Sequence, residues 1–561
     1  MACSVAKPCS LRITATLLIA ISFCGYICDA ATNAYLSDRD ADNLRKVFEG
    51  AISKPKDLAA LYYGIAGLKL LNVKVPDPQS FCKYVQSHVD QSDFESLFVG
   101  SGAAFHLDGC KLTGIDAIAT KLKQAVATQQ NAQTLAFIAG TARFTEIKLN
   151  DADLLKAFTA AVKKDDSVSN LAYAFDALSR TSGNLKPFID RIEDVVAQAD
   201  EVNGKYLQFP EGVSVTARAV SGIYSLAEKM NGSSPMKSEE VEKFANFLIS
   251  RKGVTLVKPA YHLLQALNLL TKNKHQIPVA ITIVPQSKTI SATQAKVQVK
   301  ICNVLGAAVG PITVVVETAT HKATSGVVIS KKPMTAVAND ASKMTYEFNF
   351  LEQKRDTGFY TLQILVTSSD KRLVRVSGEV EVKVQTDIAV DGVELTVLDR
   401  DQQTSVNVIK AQYPQAIGQL IDADYHQKLL MKFVIKDKSA GNKPMTAHQT
   451  FVVFNHVESG QEIIFVAEPD ASKVYKFDVD LLKSSKEFGY VRGRYELSLI
   501  IGDAVINNPV NWKVAKMSLK FQSHEEPATV QSKIPSVNEI SYKNKPIIKV
   551  SRVKGAIEQK Q

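Results

Sequence analysis

Two hydrophobic rhythms divide this chain. From Ser37 to about Asn273 apolar residues recur every three to four positions, with Gly and Pro mostly between the segments. That period predicts amphipathic helices. At "KHQIPVAITIVP" the period changes to two, which predicts strands with one buried face.

Six helical segments resemble one another: "LYYGIAGLKLL" from Leu61, "LFVGSGAAFHL" from Leu97, "LAFIAGTARF" from Leu135, "LAYAFDALSR" from Leu171, "ARAVSGIYSL" from Ala217 and "AYHLLQALNLL" from Ala260. The first four start 36, 38 and 36 residues apart, and the later ones are wider. Each mixes small residues, which let helix axes approach, with an apolar stripe for burial. Second helices such as "DAIATKLKQAV" and "ADLLKAFTAAV" lie between them. A period near 37 with two helices per repeat predicts a helical-pair repeat array, a solenoid or an α/α toroid. Such an array offers a concave docking surface or serves as a rigid spacer. His106 and His262 sit in apolar helices and read as packed or hydrogen-bonded side chains.

The alternating half predicts two tandem antiparallel β-sandwiches. The first runs through "AKVQVKICNV", "GPITVVVETA", "TYEFNFLEQ", "GFYTLQILVTS" and "EVEVKVQ"; "TDIAVDGVELTVLDRDQ" starts the pattern again. The two share a phrase: Gly358, Tyr360 and Leu362 match Gly493, Tyr495 and Leu497. A turning glycine followed by a tyrosine that bonds back to the turn suggests a tyrosine corner, hence immunoglobulin-like sandwiches. The resulting plan is 1–30 signal peptide, 31–275 helical repeat, 276–386 and 387–523 β-sandwiches, and 524–561 basic polar tail.

The densest set of chemically capable side chains is "HQTFVVFNHVESGQEIIFVAEPD", His448 to Asp470. It reads as two strands joined at Ser459-Gly460. Its polar groups spread along the hairpin, whereas a metal site needs them around one ion at ~2.0–2.2 Å. No CxxC or HxxxH spacing occurs, so neither a metal, a cofactor nor a catalytic set is expected.

Composition changes the picture little: 45% hydrophobic, 22% charged and net +10. The charges are interspersed, and there is one Trp, so no nucleic-acid surface is expected. The N-terminus differs. Lys7 and Arg12 precede the uncharged "ITATLLIAISFCGYIC", followed by "DAAT", the pattern of a secretory signal cleaved after Ala30. No other apolar run is long enough to span a membrane. Cleavage leaves Cys82, Cys110 and Cys302 of seven cysteines. In an oxidising lumen Cys82 and Cys110, in neighbouring helical segments, are expected to pair. Cys302 reads as an unpaired strand cysteine. Asn231 in "NGSS" is the N-glycosylation candidate.

The hairpin, with "SKVYKFDVD" and "YELSLIIGDA" after it, resembles the ribophorin II family. So do "YLSDRDADNLRKVF", "LAALYYGIAGL", "VPDPQSFCKYV" around Cys82, "YLQFPEG" from Tyr206 and "HQIPVAITIVP". The resemblance covers about 34 to 540 and carries over no catalytic residue. It implies a non-catalytic luminal scaffold subunit of the oligosaccharyltransferase complex of the endoplasmic reticulum membrane. That complex transfers lipid-linked oligosaccharide to Asn of N-x-S/T sequons. The implied partners are the other subunits, including the catalytic one, and nascent polypeptides. The family's C-terminal membrane helices have no counterpart in this sequence, which ends on "KVSRVKGAIEQKQ"; membrane association would then run through partners or a missing C-terminal bundle. The alternatives are a free luminal or secreted peptide- or glycan-binding protein, and an enzyme with its site in the toroid.

Overall fold

The computed structural model describes residues 32–230, 234–352, 356–400 and 408–522. Ala30, Asn231 and the basic tail therefore lie outside the described residues. The chain forms two compact units. One runs up to Ile388 and takes in Asp437–Gly441 and Ala504–Asn508; the other comprises Ala389–Lys436, Asn442–Asp503 and the chain from Pro509.

Side-chain caps start six of the described helices. Ser37 and Asp40 close a capping box on Asp38–Ser53. Asp57, Asp77, Asp93, Asn131 and Asn150 each accept a first-turn backbone N–H. Each cap contributes about 1 kcal/mol. The six similar segments form helices Leu58–Leu70, Phe94–His106, Ala132–Phe144, Val168–Leu178, Val213–Ala227 and Val257–Lys272. Each packs on the next, and the last packs back on the first, so the six form a closed ring. Small residues permit this approach. A Cβ on Gly102 would stand 2.4 Å from the Tyr62 ring, and one on Gly140 2.5 Å from the Phe98 ring.

Helices Pro78–His88, Ile115–Thr128 and Asp151–Lys164 each pack on the ring helix that follows them. Between Leu178 and Val213 a single second helix is replaced by Lys186–Ile189, Ile192–Ala197 and the hairpin Asp200–Val202 with Tyr206–Gln208. Those extra pieces account for the wider spacing between Leu171 and Ala217.

In the same unit two five-stranded sheets enclose one apolar core. One sheet holds Gly358–Ser368 between Ile312–His321 and Ser377–Val384. The other holds Lys296–Asn303 between Ile277–Ile283 and Thr345–Asn349. The buried pair Arg375–Glu242, 2.5 Å apart, joins these strands to helix Ser238–Ser250. Burial raises the Glu242 pKa despite its arginine.

The second unit repeats the plan with a six-stranded and a five-stranded sheet. Phe454 and Phe477, from different sheets, meet with ring centroids 6.0 Å apart. The antiparallel expectation holds for the long central strands and fails at three edges. Leu373–Val374, Thr289–Ile290 and Leu420–Asp424 pair parallel. Each reaches its sheet through a connection that is not a tight hairpin, which frees the direction of pairing.

Candidate functional site

The ring helices leave a cavity of about 690 Å³. Its side chains come from helix faces at three- and four-residue spacing: Gly140, Arg143 and Phe144; Tyr173, Asp176 and Arg180; Arg218 and Ser221; Tyr261, His262 and Gln265. This periodicity puts one stripe of each helix toward the cavity.

One wall is aromatic. Tyr62 lies 5.5 Å from Phe98 and 6.0 Å from Tyr261, and Tyr63 lies 5.4 Å from Tyr261, between ring centroids. The opposing chemistry is cationic. The Arg218 guanidinium stacks 4.2 Å from the Tyr173 centroid and donates to His262 Nε2 at 3.2 Å. Arg143 lies 4.4 Å from the Phe144 centroid. No carboxylate of the described residues comes within ion-pair distance, 4.0 Å, of Arg143, Arg180 or Arg218. Although Arg180 is exposed, partial desolvation at the cavity wall and then the Arg143 charge hold its pKa below the ordinary value. Asp151 is occupied otherwise: its carboxylate accepts from the Ser182 N–H at 2.8 Å and Oγ at 2.6 Å, which lowers its pKa.

Burial also sets the other protons. It raises the pKa of Tyr62, Tyr173 and Tyr261, so these phenols stay protonated. Burial, then Arg218 and Lys258, drive the His262 pKa well below its usual value and keep the ring neutral. Ser221 is 3% exposed and its Oγ has no hydrogen-bond partner among the described residues. The site therefore offers fixed positive charge and phenol donors. Groups of this kind are suited to binding and orienting a ligand.

The hairpin residues do not converge. His448 donates its backbone N–H to Asp503 at 2.7 Å, Glu458 and Glu462 are exposed, and Asp470 pairs with Lys476 at 2.9 Å. Gly460 turns the loop at φ +69°. Among the described residues no group of three or more His, Cys, Asp or Glu is placed to hold a metal ion. His456 belongs to a corner instead. Its Nδ1 meets Ser459 Oγ at 2.8 Å, and its ring lies against Tyr495, centroids 4.9 Å apart. Tyr495 donates to the Val491 carbonyl at 2.6 Å. The first sandwich repeats the corner: His321 Nδ1 to Thr324 Oγ1 at 3.1 Å, His321 to Tyr360 at 4.8 Å, and Tyr360 Oη to the Asp356 carbonyl at 2.6 Å.

Cys82 and Cys110 are disulfide-bonded with Cα atoms 5.6 Å apart. Cys302 is free and buried, and burial pushes its thiol pKa up to about 12.

The sequence suggests a concave docking surface in the helical array but does not identify the residues that line this cavity. A signal for it was present: Lys69, His106, Arg143 and Arg180 each follow the previous one by 37 positions. They close successive ring helices, where a cation also favours the helix C-terminus. That ordinary role hid the fact that the later two face a common space.

The chain matches three family models in order. These are the ribophorin II N-terminal domain over residues 36–271, the second domain over 279–385 and the third domain over 391–519. It is similar to dolichyl-diphosphooligosaccharide–protein glycosyltransferase subunit 2 of Oryza sativa subsp. japonica, 23% identical over 83% of this chain and 61% of that protein. The Caenorhabditis elegans subunit 2 is 32% identical over 28% of this chain and 56% of its own length. The Dictyostelium discoideum subunit swp1 is 23% identical over 65% of this chain and 54% of its own. The chain thus spans between half and two thirds of these relatives. Among solved structures, the Escherichia coli adhesin FdeC matches at 12% identity over 42% of this chain and 64% of that chain; its TM-score of 0.19 is too low to bear on the fold.

Proposed function

We propose that this chain, which belongs to the ribophorin II family, serves as a non-catalytic luminal subunit of the oligosaccharyltransferase complex. In this role it supports transfer of lipid-linked oligosaccharide to Asn of N-x-S/T sequons at the endoplasmic reticulum membrane. The observation that carries the reading is the match of three family domains, in family order, from 36 to 519. The histidine-rich hairpin agrees with it, since His448 and His456 do not converge and the His456 ring packs against Tyr495.

On this reading the helical half is an α/α toroid of helical pairs, supported by the ring order of its helices. The two β regions are immunoglobulin-like, supported by the tyrosine corners. Partner contact, including contact with the catalytic subunit, falls mainly within 387–523. There the strand Glu462–Val466 lies at a sheet edge. Ile464 is 57% exposed on it, Val466 62%, and Val457 in the loop before it 56%. An uncovered apolar edge of this kind favours β-edge or face packing.

Co-purification of the tagged chain with the catalytic subunit tests both statements. The unaltered chain should bring the catalytic subunit down. Ile464→Lys with Val466→Lys should abolish most of that recovery, while Arg180→Gln in the ring should not. Failure of the unaltered chain to associate would remove the complex reading. Full recovery by the double lysine variant would remove only the edge assignment.

A further inference from the structure

We propose that the ring cavity binds an extended acidic peptide segment, with Arg143 and Arg180 taking two of its carboxylates and the tyrosine wall taking adjoining apolar side chains. The inference concerns the ring alone and stands apart from the chain's place in any complex.

Arg143 and Arg180, 37 residues apart, stand at the C-terminal ends of adjacent ring helices, Arg143 in the last turn of one and Arg180 two residues past the end of the other. Packed helix axes lie about 8–10 Å apart. An extended polyproline-type segment has three residues per turn and rises about 3.1 Å per residue, so side chains at i and i+3 share a face about 9 Å apart. The two spacings agree. Each guanidinium can hold one carboxylate in a two-pronged, charge-assisted contact, and neither has a carboxylate partner in the ring. Arg218, already stacked on Tyr173, supplies a third positive charge.

Asp151 and Asp176 stand among the arginines. They offset part of the positive charge, which suits singly charged, separated carboxylates better than the dense charge of a phosphate, and Asp176 can accept from a peptide N–H group. A neutral oligosaccharide would suit the aromatic rings and leave the guanidiniums without counter-charge.

Calorimetric titration of the full chain with Ac-Phe-Glu-Pro-Pro-Glu-Phe-NH2, its Gln-for-Glu counterpart and inorganic phosphate decides the matter. The acidic peptide should bind roughly tenfold or more tighter than the neutral one at low salt, and weaken as salt rises. Arg143→Gln and Arg180→Gln should each cost roughly fivefold or more. Arg180 has an exposed side chain, so its replacement leaves the core intact, and unchanged helical circular dichroism checks this. Equal binding of the two peptides, indifference to Arg180→Gln, no binding of the acidic peptide, or tighter binding of phosphate would each overturn the proposal.

Discussion

In both sandwiches a glycine lies beneath a histidine ring: Gly358, φ +153°, under His321 and Gly493, φ +150°, under His456. The tyrosine two residues on bonds back to a carbonyl at 2.6 Å in each. The ring helices repeat far less. Their 37-residue position holds Lys69, His106, Arg143 and Arg180 in turn. The corner depends on specific atoms meeting, so it recurs as the same letters. The ring depends only on small residues where helices touch, so its inner side chains are free to differ. A repeat of the second kind can build a chemically mixed cavity without losing its packing.

The corner should therefore be the less tolerant of the two. A Cβ on Gly493 would sit 2.5 Å from His456 Nε2, and one on Gly358 2.3 Å from His321 Nε2. The backbone angles are also ones that L side chains rarely adopt. Strain and overpacking together predict a loss of about 3 kcal/mol for Gly493→Ala. The chain's one tryptophan, Trp512, is buried in the second sandwich and reports on it alone. Urea unfolding followed by tryptophan fluorescence should shift strongly for Gly493→Ala. Gly358→Ala should leave that signal in place while lowering the transition seen by circular dichroism. If the fluorescence midpoint moves equally for both, the two corners do not act within separate units.

What could be read from the sequence follows the same division. Gly-x-Tyr-x-Leu stands out because the turn and the tyrosine are neighbours in the chain. The histidine is 37 residues before its glycine in both sandwiches, and only the folded sheet brings them together. The six ring helices were legible from small residues and apolar stripes, whereas closure of Val257–Lys272 onto Leu58–Leu70 is a contact across about 200 residues that periodicity does not encode. The edge strands Val408–Ala411 and Leu420–Asp424 escaped notice because an edge strand, open on one side, carries a weak alternation. A concave surface was expected of the array, but its arginines were not legible as lining because arginines at helix ends have an ordinary explanation.

Acid should act on the ring through His106. Burial, then Arg143 and Lys69, lower its pKa to about 4. An unfolded histidine titrates near 6.5. As pH falls through about 6.5 the unfolded chain takes up a proton that the folded ring refuses. This share of the stability is therefore complete above about pH 6.5 and lost progressively toward pH 4. His106 remains partly exposed, and solvent screening reduces the effect to about 1 kcal/mol. Urea midpoints of the helical signal between about pH 7 and 4.5 should fall, and His106→Gln should flatten the part of the slope that belongs to this residue. An identical slope in the variant would assign the acid sensitivity to other groups, His262 first among them.

The smallest effect sharpens the contrast most. Gly140→Ala also places a Cβ in a crowded spot, 2.5 Å from Phe98 Cε2 and 2.6 Å from Cδ2. By distance alone it resembles Gly493→Ala. Two things differ. Phe98 borders the cavity, so its ring can swing into open space instead of pressing on packed core. And Gly140 lies within the helix Ala132–Phe144, where replacing glycine by alanine gains up to about 1 kcal/mol of helix propensity. Overpacking relieved in this way costs about 1–2 kcal/mol, so the net loss should stay below about 1 kcal/mol. The displaced ring should instead fill part of the cavity. Gly140→Ala is then expected to unfold close to the parent midpoint while binding the acidic peptide more weakly. A loss as large as that of Gly493→Ala would mean that the ring is packed as tightly around its cavity as the corners are around their histidines.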